Sequence, residues 1–146
     1  MNEERTFVMI RPAYVHAVRE IFADLDQQGK RIAEGRVDSV PRELIERHYE
    51  EHRNKPFYRE TVDAHAGRPV AIAVYQGEDI VAKIVNACGP TDPAPNTIRG
   101  KYAKDSKAQA LAEGRLFFDN VIHRADSVTS AEREIALWGQ FLHPTR

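Results

Sequence analysis

The run Pro69–Tyr75 constrains the fold of this chain more than any other stretch. Its seven residues, PVAIAVY, place apolar side chains at both alternating sets of positions. A strand that is apolar on both faces is covered on both faces, so it lies inside a sheet rather than at its edge. After Gly77 the apolar spacing becomes that of a helix. The chain is therefore predicted to build a sheet in which this strand is central.

The order of the remaining patterns predicts the fold class. Stripped of insertions it is βαββαβ followed by a C-terminal helix, the order of a ferredoxin-like α+β sandwich. This fold has an antiparallel four-stranded sheet with helices on one face, and here a helical hairpin interrupts the second and third strands. The other face is left for another subunit or for extra helices. The predicted strands are Arg5–Ile10, Arg31–Val40, Pro69–Tyr75 and a short one ending at His123, and the predicted helices begin near Ala13, Pro41, Phe57, Glu78, Asp105 and Thr129.

Two local patterns in the second half of the chain give further predictions. Residues 88–100 carry three prolines and two glycines, which predict an irregular loop, and a loop of this length is usually functional. Thr129 and Glu132 have the spacing of a capping box, which predicts that the last helix begins at Thr129.

Composition limits the classes of partner. A chain of 146 residues fits one domain, here 1–146. The formal net charge of −1 gives no global attraction for nucleic acid or for a membrane surface, so any anion site is local. The single cysteine, Cys88, excludes an internal disulfide and suits a reducing compartment as a buried apolar residue. No apolar run approaches eighteen residues. A cytoplasmic protein is expected.

The most reactive candidate is His123, at the end of the last predicted strand. Glu134 lies in the second turn of the helix that follows, and that helix can fold back so that its carboxylate meets one ring nitrogen. Such a contact fixes the tautomer and leaves the other nitrogen free to attack. A histidine of this kind is otherwise structural. The other histidines show no metal-ligand spacing and are interpreted as surface or packing residues: His16, His48, His52, His65 and His143.

Residues that suit a nucleotide occur around the same predicted edge. Arg11 follows the first strand and Arg99 lies in the long loop, and arginine forks match phosphate oxygens. Tyr49 and Phe57 flank the break in the hairpin and can stack on a base without reading its edge. The alternatives are solvated surface charges for the arginines and hairpin core for the aromatics. Two further residues can bind phosphate or ribose oxygens, or belong to an ordinary turn and strand end: Thr91 and Asn120.

Five ordered motifs resemble the nucleoside diphosphate kinase family. They extend over almost the whole chain and occur in the family's order, which makes a chance match very improbable. The family's fold is the ferredoxin-like sandwich that the element order predicts independently. The motifs are Glu4–Pro12, His48-Tyr49 with Lys55–Phe57, Gly89–Pro93, Thr97–Gly100, and Asn120–His123 with Ser130–Trp138.

The resemblance implies a ping-pong reaction. A nucleoside triphosphate gives its γ-phosphate to a histidine, and a nucleoside diphosphate then takes it. Catalysis would rest on positioning and on charge neutralisation by arginine and by a Mg²⁺ that arrives on the nucleotide, with no metal ligand from the protein. A homo-oligomer, hexamer or tetramer, is also implied. The implied roles are nucleophile for His123, orienting partner for Glu134, base stacking for Phe57, a neighbour of the histidine for Tyr49, phosphate binding for Thr91 and Arg99, and sugar binding for Asn120.

The chain also departs from the family pattern. Arg11 stands where the family has lysine, Val85 where it has a phosphate-binding arginine, and Ala125 where it has a serine. The sequence between Gly100 and Asn120 is about ten residues longer than the family's short turn, and its basic run of Lys101, Lys104, Lys107 and Arg115 is a solvated face or a compensation for Val85. An active kinase is the first hypothesis. The alternatives are a paralogue that binds nucleotides or partners but transfers phosphate poorly, and a ferredoxin-like domain with a structural histidine.

Overall fold

A computed structural model describes residues 3–146. Within that range the chain forms five strands and seven α-helices, with short 3₁₀ turns at Pro12–Ala17, Glu50–His52 and Gly139–Phe141. None of these helices is long and apolar enough to cross a membrane. The strands are β1 Glu3–Ile10, β2 Lys30–Val37, β3 Val70–Glu78, β4 Ile122–Arg124 and β5 His143–Pro144. The helices are α1 Val18–Leu25, α2 Arg42–His48, α3 Tyr58–His65, α4 Ile80–Cys88, α5 Ile98–Tyr102, α6 Lys107–Ala112 and α7 Val128–Leu137.

The sheet has the order β4-β1-β3-β2-β5, and every neighbouring pair is antiparallel. The prediction of a central strand is confirmed, because β3 pairs with β1 on one side and with β2 on the other. The four strands β4-β1-β3-β2 form the predicted ferredoxin-like sheet. The fifth strand, β5, was not predicted; its two residues pair with the outer edge of β2.

Helices cover both faces of the sheet. Alternate residues of β1 point to opposite sides, so Val8 and Ile10 pack against α1 and α4, whereas Phe7 and Met9 pack against the hairpin and α7. The second face is therefore covered by helices of the same chain. The sequence had left two alternatives for this face, extra helices or another subunit. Trp138, which follows α7, is fully buried on this side.

Two local predictions were wrong at the residue level. The cap of α7 is Ser127, not Thr129: Ser127 has extended backbone and its Oγ accepts from Ser130 N at 3.1 Å. Glu132 pairs with Arg5 of β1 instead of closing a capping box. The loop predicted at 88–100 is irregular only from Gly89 to Thr97, because Cys88 still belongs to α4 and Thr97 caps α5 by accepting from Gly100 N at 3.0 Å. A Ser or Thr can cap any nearby turn, and only the backbone conformation decides which one does.

Candidate active site

One cavity of about 740 Å³ opens beside the edge strand β4. Its volume lies within the range of small-molecule sites. Every predicted site residue except Glu134 lines it, and Glu134 contacts it through His123. Side chains from β4, the hairpin, the 88–100 loop and the long segment before β4 therefore meet at one place. The predicted residues on the cavity wall are Arg11, Tyr49, Phe57, Thr91, Arg99, Asn120 and His123.

The histidine that the sequence predicts to react contacts a buried carboxylate. His123 lies on β4 directly opposite Met9 of β1, and its Nε2 is 2.8 Å from Oε1 of Glu134 on α7. The Glu134 side chain is 7% exposed and that of His123 is 21% exposed. With Nε2–H donating to the carboxylate, the lone pair of the ring resides on Nδ1. The arrangement provides a nitrogen nucleophile and a counter-charge for the imidazolium that forms when Nδ1 is substituted.

A second histidine lies against the first. The rings of His48 and His123 meet edge to face with centroids 4.3 Å apart. Trp138 Nε1–H donates to His48 Nδ1 at 3.0 Å, and burial, together with the nearby His123, keeps the pKa of His48 well below its ordinary value. His48 is therefore neutral, with its proton on Nε2. We refer to His123, which lines the cavity, together with His48, Glu134 and Trp138, which lie behind it, as the floor.

The floor brings together three groups that could ligate a metal, namely His48, His123 and Glu134. The hydrogen bonds oppose that use. Because Trp138 donates to Nδ1 of His48, the Nε2 of that ring carries a proton and has no lone pair for an ion. His123 Nε2 already donates to Glu134. The hydrogen bonds thus organise the floor as two pairs, His123 with Glu134 and His48 with Trp138, rather than as a metal centre.

Two buried arginines give the cavity its positive charge. Arg11 is 7% exposed and Arg99 is 4% exposed, and among residues 3–146 neither forms an ion pair with a carboxylate. Arg99 donates to the carbonyl oxygens of Gly89 and Ile122 at 2.8 and 2.9 Å. Burial, and then the charge of Arg124, lowers the pKa of Arg99 to about 10. Buried cations without a carboxylate partner favour an anionic ligand.

The mouth of the cavity is aromatic and apolar. Phe57 precedes α3, with the Lys55 ammonium 5.8 Å from its ring centre and the His52 ring 6.2 Å away. Much of the remaining apolar lining comes from residues 105–118, here called the rim segment. Two of its side chains are exposed, Leu111 at 82% and Leu116 at 68%. A third, Phe117, lies 5.6 Å from the Arg11 guanidinium, measured to the ring centre.

A single carboxylate ties the rim segment together. Asp105 accepts from both Nη atoms of Arg115 at 2.8 Å, and from the backbone nitrogens of Ser106 and Asp119 at 2.9 Å. These bonds, led by that from Arg115, hold the pKa of Asp105 far below its ordinary value. The ends of the segment are thus drawn together while α6 remains between them.

Comparison with known proteins decides the family. The model of the family "Nucleoside diphosphate kinase" matches residues 4–141. The chain belongs to the nucleoside diphosphate kinase family. Curated nucleoside diphosphate kinases of Staphylococcus epidermidis and Staphylococcus aureus are 40% and 38% identical to it over 140 residues, which cover 92% of this chain and 87% of each relative. The solved NDP kinase from Pyrobaculum aerophilum superimposes with a TM-score of 0.80 at 29% identity, covering 93% of this chain and 95% of its own.

The structure locates each residue at which the chain departs from the pattern of the nucleoside diphosphate kinase family. Arg11 retains a cation in the cavity. Val85 lies outside it, in a shallow depression with Asp126 and Ser127. Ala125 is buried and brings no side-chain hydrogen bond to the floor. Among the basic residues of the long segment, Lys107 and Arg115 line the cavity, whereas Lys101 pairs with Asp24 away from it.

Sequence reasoning did not predict the part that several residues play in or beside this cavity. His48 and His65 were interpreted as surface or packing residues; both are buried, and each also makes a side-chain hydrogen bond that was not predicted, to Trp138 and to Arg11 respectively. His52 and Phe117 line the cavity. For His48 the sequence did hold a signal, because His48-Tyr49 is one of the motifs that resemble the family. For His65 there was none, because its partner Arg11 is 54 positions away.

Proposed function

We propose that this single domain, residues 1–146, transfers the γ-phosphate of a nucleoside triphosphate to a nucleoside diphosphate through a phosphohistidine on His123. The observation that carries the proposal is the bond from His123 Nε2 to the buried Glu134, in a cavity that also holds Arg11 and Arg99. This combination supplies a nucleophilic nitrogen and a place for phosphates. Family membership supports it.

In the first half-reaction Nδ1 attacks the γ-phosphorus in line. The N–P bond forms as the bond to the oxygen that bridges the β- and γ-phosphates breaks, and the nucleoside diphosphate leaves with that electron pair. The ring becomes an imidazolium, which Glu134 stabilises through Nε2–H. In the second half-reaction a terminal β-phosphate oxygen of the acceptor attacks the same phosphorus, and the histidine leaves as neutral imidazole.

The cavity supports roles for the remaining residues. Arg11, Arg99 and Thr91 would bind phosphate oxygens. Asn120 accepts from Val121 N at 2.8 Å with its Oδ1, which leaves its amide NH₂ to donate to a sugar hydroxyl. Phe57 would stack on the base, and the apolar side chains of the rim segment would exclude water around it. Stacking tolerates every base, so we expect broad base acceptance.

The cavity fits a Mg²⁺ only as an ion carried on the nucleotide. Its lining, taken from the part of the chain that the structure describes, contains no carboxylate, and Mg²⁺ prefers oxygen ligands, commonly carboxylates and phosphates. Bound to the phosphates, the ion would neutralise charge in the transition state. The proposal also includes a homo-oligomer, either a hexamer or a tetramer, and a cytoplasmic location, with which the buried free Cys88 is compatible.

The test is phosphorylation of the purified chain by γ-labelled ATP with Mg²⁺. We expect acid-labile label on the wild type that is released by GDP, no label on His123→Ala, and normal label on His143→Ala, a surface control. Label that persists in His123→Ala would contradict the proposal. Nucleotide binding without label would favour the weakly transferring paralogue. The structural arguments for it are that Val85 lies outside the cavity and that Ala125 brings no side-chain hydrogen bond to the floor.

A further inference from the structure

His65 is a buried histidine whose two ring nitrogens are both engaged. It ends α3 and has no exposed surface. Its Nε2 lies 3.1 Å from Nε of Arg11, and its Nδ1 lies 2.7 Å from the carbonyl oxygen of Thr61. The Nε of arginine always carries a hydrogen, so Nε2 of His65 accepts and Nδ1–H donates. The contacts therefore define one neutral tautomer.

The contacts of Arg11 orient its guanidinium plane. Nε donates to His65, and Nη2 donates to the Tyr49 hydroxyl at 3.4 Å. These two atoms form the side edge of the planar group. The other edge, formed by Nη1 and Nη2, keeps N–H bonds that none of the described residues accepts. An edge with two parallel N–H bonds binds two oxygens of one phosphate.

We propose that His65 is a positioning residue, a hydrogen-bond acceptor that fixes the plane of Arg11 so that the Nη1–Nη2 edge binds the phosphates of the nucleotide that reacts at His123. The inference rests on the proposed function, because it assigns Arg11 to that nucleotide. His65 itself touches neither substrate nor the reacting atoms.

The environment keeps this histidine neutral. Burial, and then the charge of Arg11, lowers the pKa of His65 to about 3. A protonated ring would present N–H to the N–H of Arg11 and place two positive charges in contact. His65 is therefore a neutral acceptor around neutral pH.

The pair also accounts for arginine at position 11. Lysine has a methylene group, Cε, at the point in the side chain where arginine has Nε. A lysine there would give His65 no donor at that position, and its ammonium would have no plane to orient. Arg11 and His65 are therefore interdependent, which a double-mutant cycle can measure.

The experiment is that cycle: wild type, His65→Leu, Arg11→Lys and the double variant, with His65→Gln as the conservative change. Phosphorylation of His123 by γ-labelled ATP with Mg²⁺ is followed in single turnover over a range of ATP concentrations. We expect His65→Leu to lower the second-order rate constant about tenfold, mainly by weaker ATP binding. In the Arg11→Lys background the same change should cost less than about twofold. Gln, which can accept and donate, should stay within about threefold of wild type.

Two results would overturn the inference. One is an equal factor for His65→Leu in both backgrounds, and the other is a Gln variant as impaired as the Leu variant. Either would reduce His65 to packing. Absence of label on the wild type would remove the proposed function, and the positioning role with it, whereas label on the wild type with an additive cycle removes the positioning role alone.

A second measurement needs no substitution, in case His65→Leu does not fold. In ¹⁵N NMR of the wild type, His65 should show a proton on Nδ1 and a bare Nε2 from about pH 5 to 8. A protonated Nε2 in that range would overturn the inference, because the ring could not then accept from Arg11.

Discussion

The floor and the rim segment of the cavity are held in place by different means. The floor lies between the sheet and α7, and His123, its most exposed member, shows 21% of its side chain. The rim segment is tied at Asp105 and exposes Leu111 and Leu116 to solvent. Under the proposed function, chemistry that depends on angstrom-level geometry would take place in the buried part, whereas substrate contact would involve a segment whose length departs from the family pattern. Changes in the floor should affect rate, and changes in the rim should affect binding.

After the loss of His123 itself, the largest effect is expected from Glu134→Gln in the floor. A carboxamide can donate to Nε2 and so favour the proton on Nδ1, which removes the nucleophilic lone pair. We expect the rate of His123 phosphorylation to fall by about 10²–10³-fold with ATP affinity almost unchanged. Single-turnover labelling measures this. Glu132→Gln, on the exposed side of the same helix, is the control, and a Glu134→Gln rate within about threefold of wild type would refute the assignment.

Acid should weaken the fold through His65. Folded His65 has a pKa of about 3 against 6.5 as its ordinary value. Between these values the unfolded chain binds a proton at His65 that the folded chain does not. The contribution of His65 to the free energy of unfolding is therefore fully present above about pH 6.5 and is lost as the pH falls. The contribution is about 1.4 kcal/mol per pH unit. Urea unfolding of wild type and His65→Gln at pH 4 to 8 measures it. The slope of the free energy of unfolding against pH should be the same for both proteins above pH 7 and should differ below pH 6. Equal slopes over the whole range would contradict the prediction.

Loosening the rim segment should affect binding. Asp105→Asn removes the charge-assisted bonds to Arg115 but keeps the volume of the side chain. We expect KM for ATP to rise about threefold to tenfold with kcat changed by less than about twofold. Glu113→Gln, at the exposed partner of Arg115, should have a smaller effect. A fall in kcat with KM unchanged would show that the rim segment takes part in the chemical step and would break the contrast with the floor.

Substitutions at the N-terminal cap of α7 test how the helix that carries Glu134 is anchored. Ser127→Ala removes the acceptor for Ser130 N and should lower the free energy of unfolding by about 1 kcal/mol. Thr129→Ala is the matched change inside the helix and should cost less than about 0.5 kcal/mol. Denaturant unfolding compares the two variants. A larger loss of unfolding free energy for Thr129→Ala would indicate that Thr129 caps the helix, as the sequence predicted.

The smallest effect on stability is expected at the rim leucines. Leu111→Ser and Leu116→Ser remove side chains that are mostly solvent-exposed, so the free energy of unfolding should change by less than about 0.5 kcal/mol. KM for ATP should nevertheless rise about twofold to threefold if these side chains shield the base. Steady-state kinetics against a panel of bases measures this, and unchanged KM for every base would remove the leucines from the site.

Local patterns predicted much of the fold. The apolar run at 69–75 and the change of period after Gly77 determined a central strand followed by a helix, since alternation and helical spacing are properties of a few neighbouring residues. Such patterns could not choose between Ser127 and Thr129 as a cap, because both carry a hydroxyl. They also missed β5, which is two residues long and exists only because β2 offers an edge.

The sequence by itself determined the order of elements, the family motifs and the pairing of His123 with Glu134, because these depend on residues close along the chain or on a collinear pattern. Only the tertiary structure decided that Trp138 fixes the proton of His48, that His65 accepts from Arg11, and that the rim segment reaches the cavity. Those outcomes depend on burial and on hydrogen bonds between residues 54 or 90 positions apart. The sequence around a histidine does not show which partner will set its tautomer.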